Sequence, residues 1–421
     1  MIMHSSSPNK LHEDQLAKLN ELLSFAKNQN KFYQKKWGQI QLPLSSLQQL
    51  EEFPLTLKQE LVEDQNNNGG YGSNHSFPVE EYTRYHQTSG TSGSPLKVLD
   101  TAESWAWWED CWLEVYRSSG VTKKDRVFLA FSFGPFIGFW AAFEAAKKNR
   151  SLVITGGSQS TKERLYCMLE NNATVLLCTP SYALHLAEVA KDLGIDLQNS
   201  TITKVITAGE PGGSVPSIRR QIETLWGATL FDHVGMTEMG AYGYSCTEQN
   251  GIHINEAEFI AEVLDQDTLK PVANGEKGEL VLTNLGRFGY PLIRYRTADV
   301  VLKSDEVCAC GNPYKFFPGG VLGRADDMVV IRGINIYPSS IEAIVREFAA
   351  VKEFRVVYFT ENGMDQIKVQ IESAADIIAE LSTLLRDRVG LRIAVERVEA
   401  DSLPRFTMKS KRVLDERIKR G

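Results

Sequence analysis

Thr88-Ser89-Gly90-Thr91-Ser92-Gly93-Ser94-Pro95-Leu96-Lys97 alternates hydroxyl residues with glycine before closing on a proline and a lysine. Glycine lets successive backbone N–H groups converge on one point, and the hydroxyls add donors. Such a loop suits a polyphosphate. It is not the Walker pattern, which needs Gly-Lys-Ser/Thr opening a helix. A Ser/Gly-rich run is also the composition of an ordinary connecting loop, so its meaning rests on its surroundings.

Working outward, a strand near 81–85 leads into the loop, and a helical stripe of Trp105, Trp108, Trp112 and Val115 follows it, read as core. Short apolar strands are expected at 127–131, 152–154, 175–178, 205–208 and 229–231, with helices at 184–193 and 217–226. This alternation predicts α/β layers around a largely parallel sheet. From about 258 to 320 strands and turns predict a small β-rich subdomain. Gly323-Arg324-Ala325-Asp326-Asp327 reads as a boundary, after which strands and helices make a separate α+β unit. The expected fold is therefore α/β. A large N-terminal domain, 1–323, carries layered α/β sheets and the β-rich subdomain, and a small mobile α+β domain spans 324–421.

Acidic residues number 53 and basic ones 46, which argues against a nucleic-acid partner. Six cysteines in 421 residues do not make a disulfide framework and fit a reducing, cytoplasmic setting. Residues 1–7 lack the apolar core of a signal peptide. The uncharged run 127–143 is short for a membrane span and is broken by Gly134-Pro135. It reads as a strand, a turn and a helix from about Ile137, so no membrane span is expected.

Further stretches carry chemistry. Ala208-Gly209-Glu210-Pro211-Gly212-Gly213 and Asp232-His233-Val234-Gly235-Met236-Thr237-Glu238 each follow a predicted strand, where ligands gather in parallel sheets. Glu238 supplies an oxygen of the kind Mg²⁺ takes beside phosphates. Tyr295-Arg296-Thr297-Ala298-Asp299 offers a carboxylate for a pair of ribose hydroxyls, and Pro404-Arg405-Phe406-Thr407-Met408-Lys409 offers a lysine. Each alone is more often surface, turn or solvated charge.

In order and spacing these stretches resemble the adenylate-forming (AMP-binding) superfamily of acyl-CoA synthetases, peptide-synthetase adenylation domains and luciferases, from roughly residue 10 to the end. The run 89–95 looks like its phosphate loop, 232–238 its adenine and Mg²⁺ motif, 295–299 its ribose motif, 323–338 its hinge, and 404–409 its catalytic-lysine segment. Asn30 to Trp37, Phe53-Pro54-Leu55-Thr56 and the short length look like the phenylacetate-CoA ligase-like branch. The pattern departs in three places. Ala298 stands where the family carries glycine, which is tolerated if φ there is not positive. Val234 replaces an aromatic residue, putting face-on stacking of adenine there in doubt. Met408 replaces the glycine before the lysine, and Lys411 lies close to Lys409.

The resemblance implies an acid–thiol ligase using ATP, Mg²⁺ and coenzyme A. Thr88, Ser89, Gly90, Thr91, Ser92 and Gly93 would hold the β,γ-phosphates. Gly209, Glu210, Pro211, Asp232, Gly235, Met236 and Thr237 would line the nucleotide site, Asp299 with Arg324 the ribose, and Glu238 the magnesium. Lys409 would reach the reacting carboxylate and the α-phosphate. The C-terminal domain would rotate about Asp326 between half-reactions, with Gly333 lining the thiol channel.

Phe131, Phe133 and Phe136 read either as the wall of a pocket for an aromatic acid or as core. His233 reads either as a neighbour of the substrate carboxylate or as structural. Cys246, His253, Cys308 and Cys310 make a Cys₃His set suited to structural zinc, and similar sets occur in some members of the branch; buried thiols are the alternative. Rival functions are a stand-alone adenylation enzyme loading an acyl carrier protein, or a weakened homologue that only binds. By resemblance alone, the protein could be a homodimer.

Overall fold

The computed structural model describes residues 8–88, 95–332, 334–361, 364–406 and 410–417. Its centre is an eight-stranded sheet. The order is Phe316–Pro318, Gly251–Ile254, Gly240–Tyr244, Thr229–Met236, Lys204–Thr207, Val175–Cys178, Arg126–Leu129 and Leu152–Thr155. The last five strands run parallel and the first four antiparallel, so Thr229–Met236 belongs to both halves. Helices cover both faces of the parallel half, which is why its strands are short apolar runs rather than alternating ones; Val175–Cys178 is buried throughout. Leu129, Leu177 and Ile206 face one core with the helices Ala102–Ser118 and Trp140–Lys148. Phe128, Leu176 and Val205 face another with Thr161–Glu170, Pro180–Asp192 and Pro216–Trp226.

Three of the boundary differences bear on the site. The helix expected at 184–193 starts at Pro180, because Thr179 Oγ1 accepts from Tyr182 N and proline suits the first turn. The helix expected from Ile137 starts at Trp140, leaving 131–139 irregular. The strand expected to end at 231 runs to Met236, so Asp232 to Met236 lie in a strand rather than after one. Its second half is held by Gly240–Tyr244, a partner invisible to local pattern.

A second, four-stranded antiparallel sheet comprises Phe259–Leu264, Lys277–Asn284, Tyr295–Leu302 and Gly323–Arg324. Phe316–Pro318, between these in sequence, joins the large sheet instead. The C-terminal part has its own core under a sheet ordered Ala394–Arg397, Met364–Ser373, Val351–Glu361 and Val413–Asp415, with helices Pro338–Val345 and Ile378–Val389. The last strand was not expected: three residues carry no readable period, and parallel pairing to Val351–Glu361 makes it. Ser217 Oγ donates to Ala343 O at 2.9 Å, tying this part to the helix Pro216–Trp226. No described helix is long and apolar enough to cross a membrane.

Candidate active site

The residues flanking the opening stretch form a hairpin. Tyr82–Gln87 pairs antiparallel with Lys97–Thr101, Thr88 N donates to Leu96 O at 2.9 Å, and Leu96 N donates to Thr88 Oγ1 at 3.1 Å. Ser89, Gly90, Thr91, Ser92 and Gly93 lie outside the described residues, as do Gly333 and Lys409.

Asp232 joins two of the quoted stretches. Its carboxylate accepts from Ser214 Oγ at 2.6 Å and Thr207 Oγ1 at 3.3 Å, clasping the end of the Gly209–Ser214 turn against the sheet. A Cβ on Gly213 would stand 2.3 Å from Asp232 Oδ1, so only glycine fits that approach. Burial pushes the Asp232 carboxyl up to about 6, opposed by these hydrogen bonds.

Glu238 is 5% exposed, and its Oε1 lies 2.9 Å from Lys58 Nζ and 3.5 Å from Tyr295 Oη. Thr56 bridges to Tyr295 and donates Oγ1–H to Ile293 O at 2.7 Å, which carries Lys58 to this carboxylate. Arg287, 1% exposed, lies beneath. Its Nε and Nη2 each donate to Asp100 at 2.7 Å, and its Nη1 donates to Thr237 O at 3.0 Å and Glu238 O at 2.7 Å. One guanidinium therefore fixes the backbone of the Thr237-Glu238 turn to the strand leaving the glycine-rich loop. Sequence reading missed Lys58 and Arg287. Lys58 follows the Phe53–Thr56 run that was singled out; Arg287 carries no signal beyond being a charge in an apolar stretch.

Asp299 and Arg324 face each other across paired strands, with Arg324 Nη1 3.2 Å from Asp299 Oδ1. Arg324 also grips Asp326 through two 2.8 Å bonds, and Tyr242 Oη donates to Asp299 Oδ2 at 2.5 Å. Asp299 and Asp326 thus share one arginine. The condition placed on Ala298 is not met: its φ is 62°, in the left-handed region. Its N–H donates to Glu279 Oε1 at 3.1 Å, opposite a register shift between Glu279 and Val281. The methyl costs about 1–2 kcal/mol at such a φ, and the bulge holds the residue there regardless.

Phe131 meets Phe133, Phe136 and Phe139 edge-on at 5.8, 5.9 and 5.4 Å between centroids. Gly138 permits this: a Cβ there would sit 1.9 Å from the Phe131 ring. Trp112 continues the cluster to Phe139 at 6.1 Å and to His233 at 4.1 Å. Burial pulls His233 down to about 4, so the ring is neutral, with Nδ1 2.9 Å from Gly243 O. With Nδ1–H directed at Gly243 O, Nε2 of the neutral ring is an acceptor.

Cys246, His253, Cys308 and Cys310 come together with all four donor atoms within 4.8 Å of one another. Cys246 Sγ lies 3.6 Å from Cys308 Sγ, and Cys310 Sγ lies 3.4 Å from His253 Nε2. Ligands about 2.0–2.3 Å from a tetrahedral zinc stand roughly 3.4–3.8 Å apart, a spacing these two pairs match. His253 Nδ1 is 3.2 Å from Tyr314 O, leaving Nε2 turned to the sulfurs.

Residues 75–287 match the AMP-binding enzyme family and residues 333–417 the AMP-binding enzyme C-terminal domain. The chain belongs to the AMP-binding enzyme family. This AMP-binding enzyme is 29% identical over 434 residues to a phenylacetate-coenzyme A ligase of Pseudomonas putida, covering 99% of this chain and 96% of that one. It is 30% identical over 319 residues to that of Thermus thermophilus, covering 75% and 71%. Among solved structures, a 2-hydroxyisobutyryl-CoA ligase in the postadenylation state with 2-HIB-AMP superposes with TM-score 0.90 at 28% identity, covering 96% of this chain and 89% of that one. The same ligase with 2-HIB-AMP and CoA in the thioesterification state gives 0.74 at 29% identity, covering 98% and 91%.

Proposed function

We propose that this AMP-forming acid–CoA ligase takes a flat aromatic acid. The protein activates a carboxylic acid with ATP through an acyl-adenylate and transfers the acyl group to coenzyme A. In the first half-reaction a carboxylate oxygen attacks the α-phosphorus, forming the mixed anhydride while the α–β bridge breaks and pyrophosphate leaves. In the second the thiolate sulfur attacks the acyl carbon and AMP leaves. The protein's task is to position charged partners in line and neutralise developing charge.

In this reading the Thr88–Ser94 loop receives the β,γ-phosphates, and Glu238, with Lys58 beside it, would hold Mg²⁺, which would supply positive charge near them. Asp299, oriented by Tyr242 and Arg324, receives the ribose hydroxyls. Lys409 supplies a compact positive charge at the α-phosphate. The part beyond Arg324 moves as a lid about Asp326, which Arg324 tethers to the ribose carboxylate.

The observation that carries the aromatic reading is the ring cluster of Phe131, Phe133, Phe136 and Phe139, joined through Trp112 to a neutral His233. Aromatic edges and faces with little polar atom content suit a planar apolar acid. The test offers carboxylic acids with Mg-ATP and follows pyrophosphate release with and without coenzyme A. Arylacetic or benzoic acids should outpace short hydroxy acids at least tenfold in kcat/KM. Faster turnover of short hydroxy acids overturns the aromatic assignment. Adenylate formation without turnover on coenzyme A would mark a carrier protein as the acceptor.

The Cys₃His cluster is proposed to hold structural zinc, pinning the loop between Tyr295–Leu302 and Phe316–Pro318 to the sheet edge. Protein purified without added zinc should contain about one equivalent, and Cys308 should react with a thiol reagent only after chelation. Substoichiometric metal together with a freely titrating Cys308 would exclude the site.

A further inference from the structure

The Glu210 carboxylate spans the seam between the two parts of the chain. Its Oε1 accepts from Ser181 N at 2.8 Å, in the first turn of the helix Pro180–Asp192. Its Oε2 accepts from Ser410 N at 2.9 Å and from Ser410 Oγ at 2.7 Å. One oxygen is thus anchored on a helix N-terminus, where negative charge is favoured, and the other clasps a residue 200 positions away. Ser410 directly follows Lys409, the lysine assigned above to the α-phosphate.

Weaker contacts line the same seam. Glu188 on that helix faces Lys352 and Arg405, each at 3.9 Å. These are partly exposed pairs at long range and hold little by themselves. The Glu210 contact is of another kind: three charge-assisted hydrogen bonds converge on one half-buried carboxylate.

The arrangement of the two parts is closer to the postadenylation structure of the 2-hydroxyisobutyryl-CoA ligase than to its thioesterification structure, with TM-scores of 0.90 and 0.74. A group that binds one of two arrangements shifts the balance toward it by the free energy of that contact.

We infer that Glu210 is a state-selective positioning residue: it latches the segment carrying Lys409 in the adenylate-forming arrangement and lets go when the lid turns for thioester formation. This rests on the two-step ligase reading. Glu210 takes part in no bond change. It acts through Lys409, by raising the population of the closed lid.

The half-reactions are measured separately on the full chain. Acid-dependent pyrophosphate release reports the first, and thioester formation from preformed acyl-adenylate and coenzyme A reports the second. Glu210→Ala should slow the first about tenfold, mainly in kcat, and slow the second much less. Ser410→Ala, which keeps the backbone bond, should show the same split at about threefold. The double variant should be no slower than Glu210→Ala alone, because both changes remove one contact. Equal slowing of both half-reactions, additive effects in the double variant, or a raised KM for ATP at unchanged kcat each overturn the latch. A wild-type protein releasing no pyrophosphate with any acid overturns the ligase reading and the latch together. A working wild type with no split overturns the latch alone.

Discussion

Lys409→Ala is expected to lower acid-dependent pyrophosphate release by about two to three orders of magnitude, while Lys411→Ala changes it less than twofold. The magnitude is that of removing one positioned charge from a transition state with charge spread over several oxygens. Neighbouring side chains separate the two lysines. Ser410 is drawn inward by Glu210, Arg412 is 7% exposed with bonds to Glu353 and Glu342, and Lys411 between them is exposed. Thioester formation from preformed adenylate should survive in Lys409→Ala, since the lid has then turned. Steady-state pyrophosphate release and single-turnover thioester formation check both statements. A large loss in Lys411→Ala with a silent Lys409→Ala would reassign the catalytic lysine.

The second large effect is expected at the buried pair Asp100–Arg287. With side-chain exposures of 0% and 1%, neither charge can recover water when its partner is removed. Asp100→Asn and Arg287→Met should each destabilise the fold by about 3–5 kcal/mol. Asp100→Leu combined with Arg287→Met should lose clearly less than the sum, because no unpaired charge remains. Urea titration followed by far-UV circular dichroism measures these losses. The single Arg287 variant should also weaken adenylation beyond its stability loss, since Thr237 O and Glu238 O lose their donor. Loss of less than 1 kcal/mol in both single variants would show that the pair is not structurally important.

Much of the fold was legible because burial on both faces writes itself into a parallel strand. Val175–Cys178 is apolar at every position and emerged at its expected bounds. The helix Pro216–Trp226 was equally readable, from its period and from proline at its start and glycine after its end. The extension of Thr229 to Met236 was not readable. Asp232, His233 and Gly235 are poor local evidence for a strand, and only pairing with Gly240–Tyr244 makes one. The chain's end, Val413–Asp415, is the same case.

For the candidate site, Asp232, Glu238, Asp299 and Arg324 were named because short stretches, none decisive alone, together resemble the adenylate-forming superfamily in order and spacing, and the Cys₃His set was named from residue type. Cys246 and His253 lie close in sequence, as do Cys308 and Cys310, so only the meeting of the two pairs needed the fold. Ala298 shows the limit: its side chain was legible, and its φ was decided by a bulge on the neighbouring strand.

What the sequence alone determined, through motif order that resembles the adenylate-forming superfamily, was the ligase class and the layered architecture. What only the tertiary structure decided were the contacts made across distance. Lys58 reaches Glu238, Arg287 ties Asp100 to the Thr237-Glu238 turn, and Glu210 grips Ser410. Hydrogen bonds and ion pairs act over about 3 Å whatever the separation along the chain, so pattern in one segment cannot reveal them.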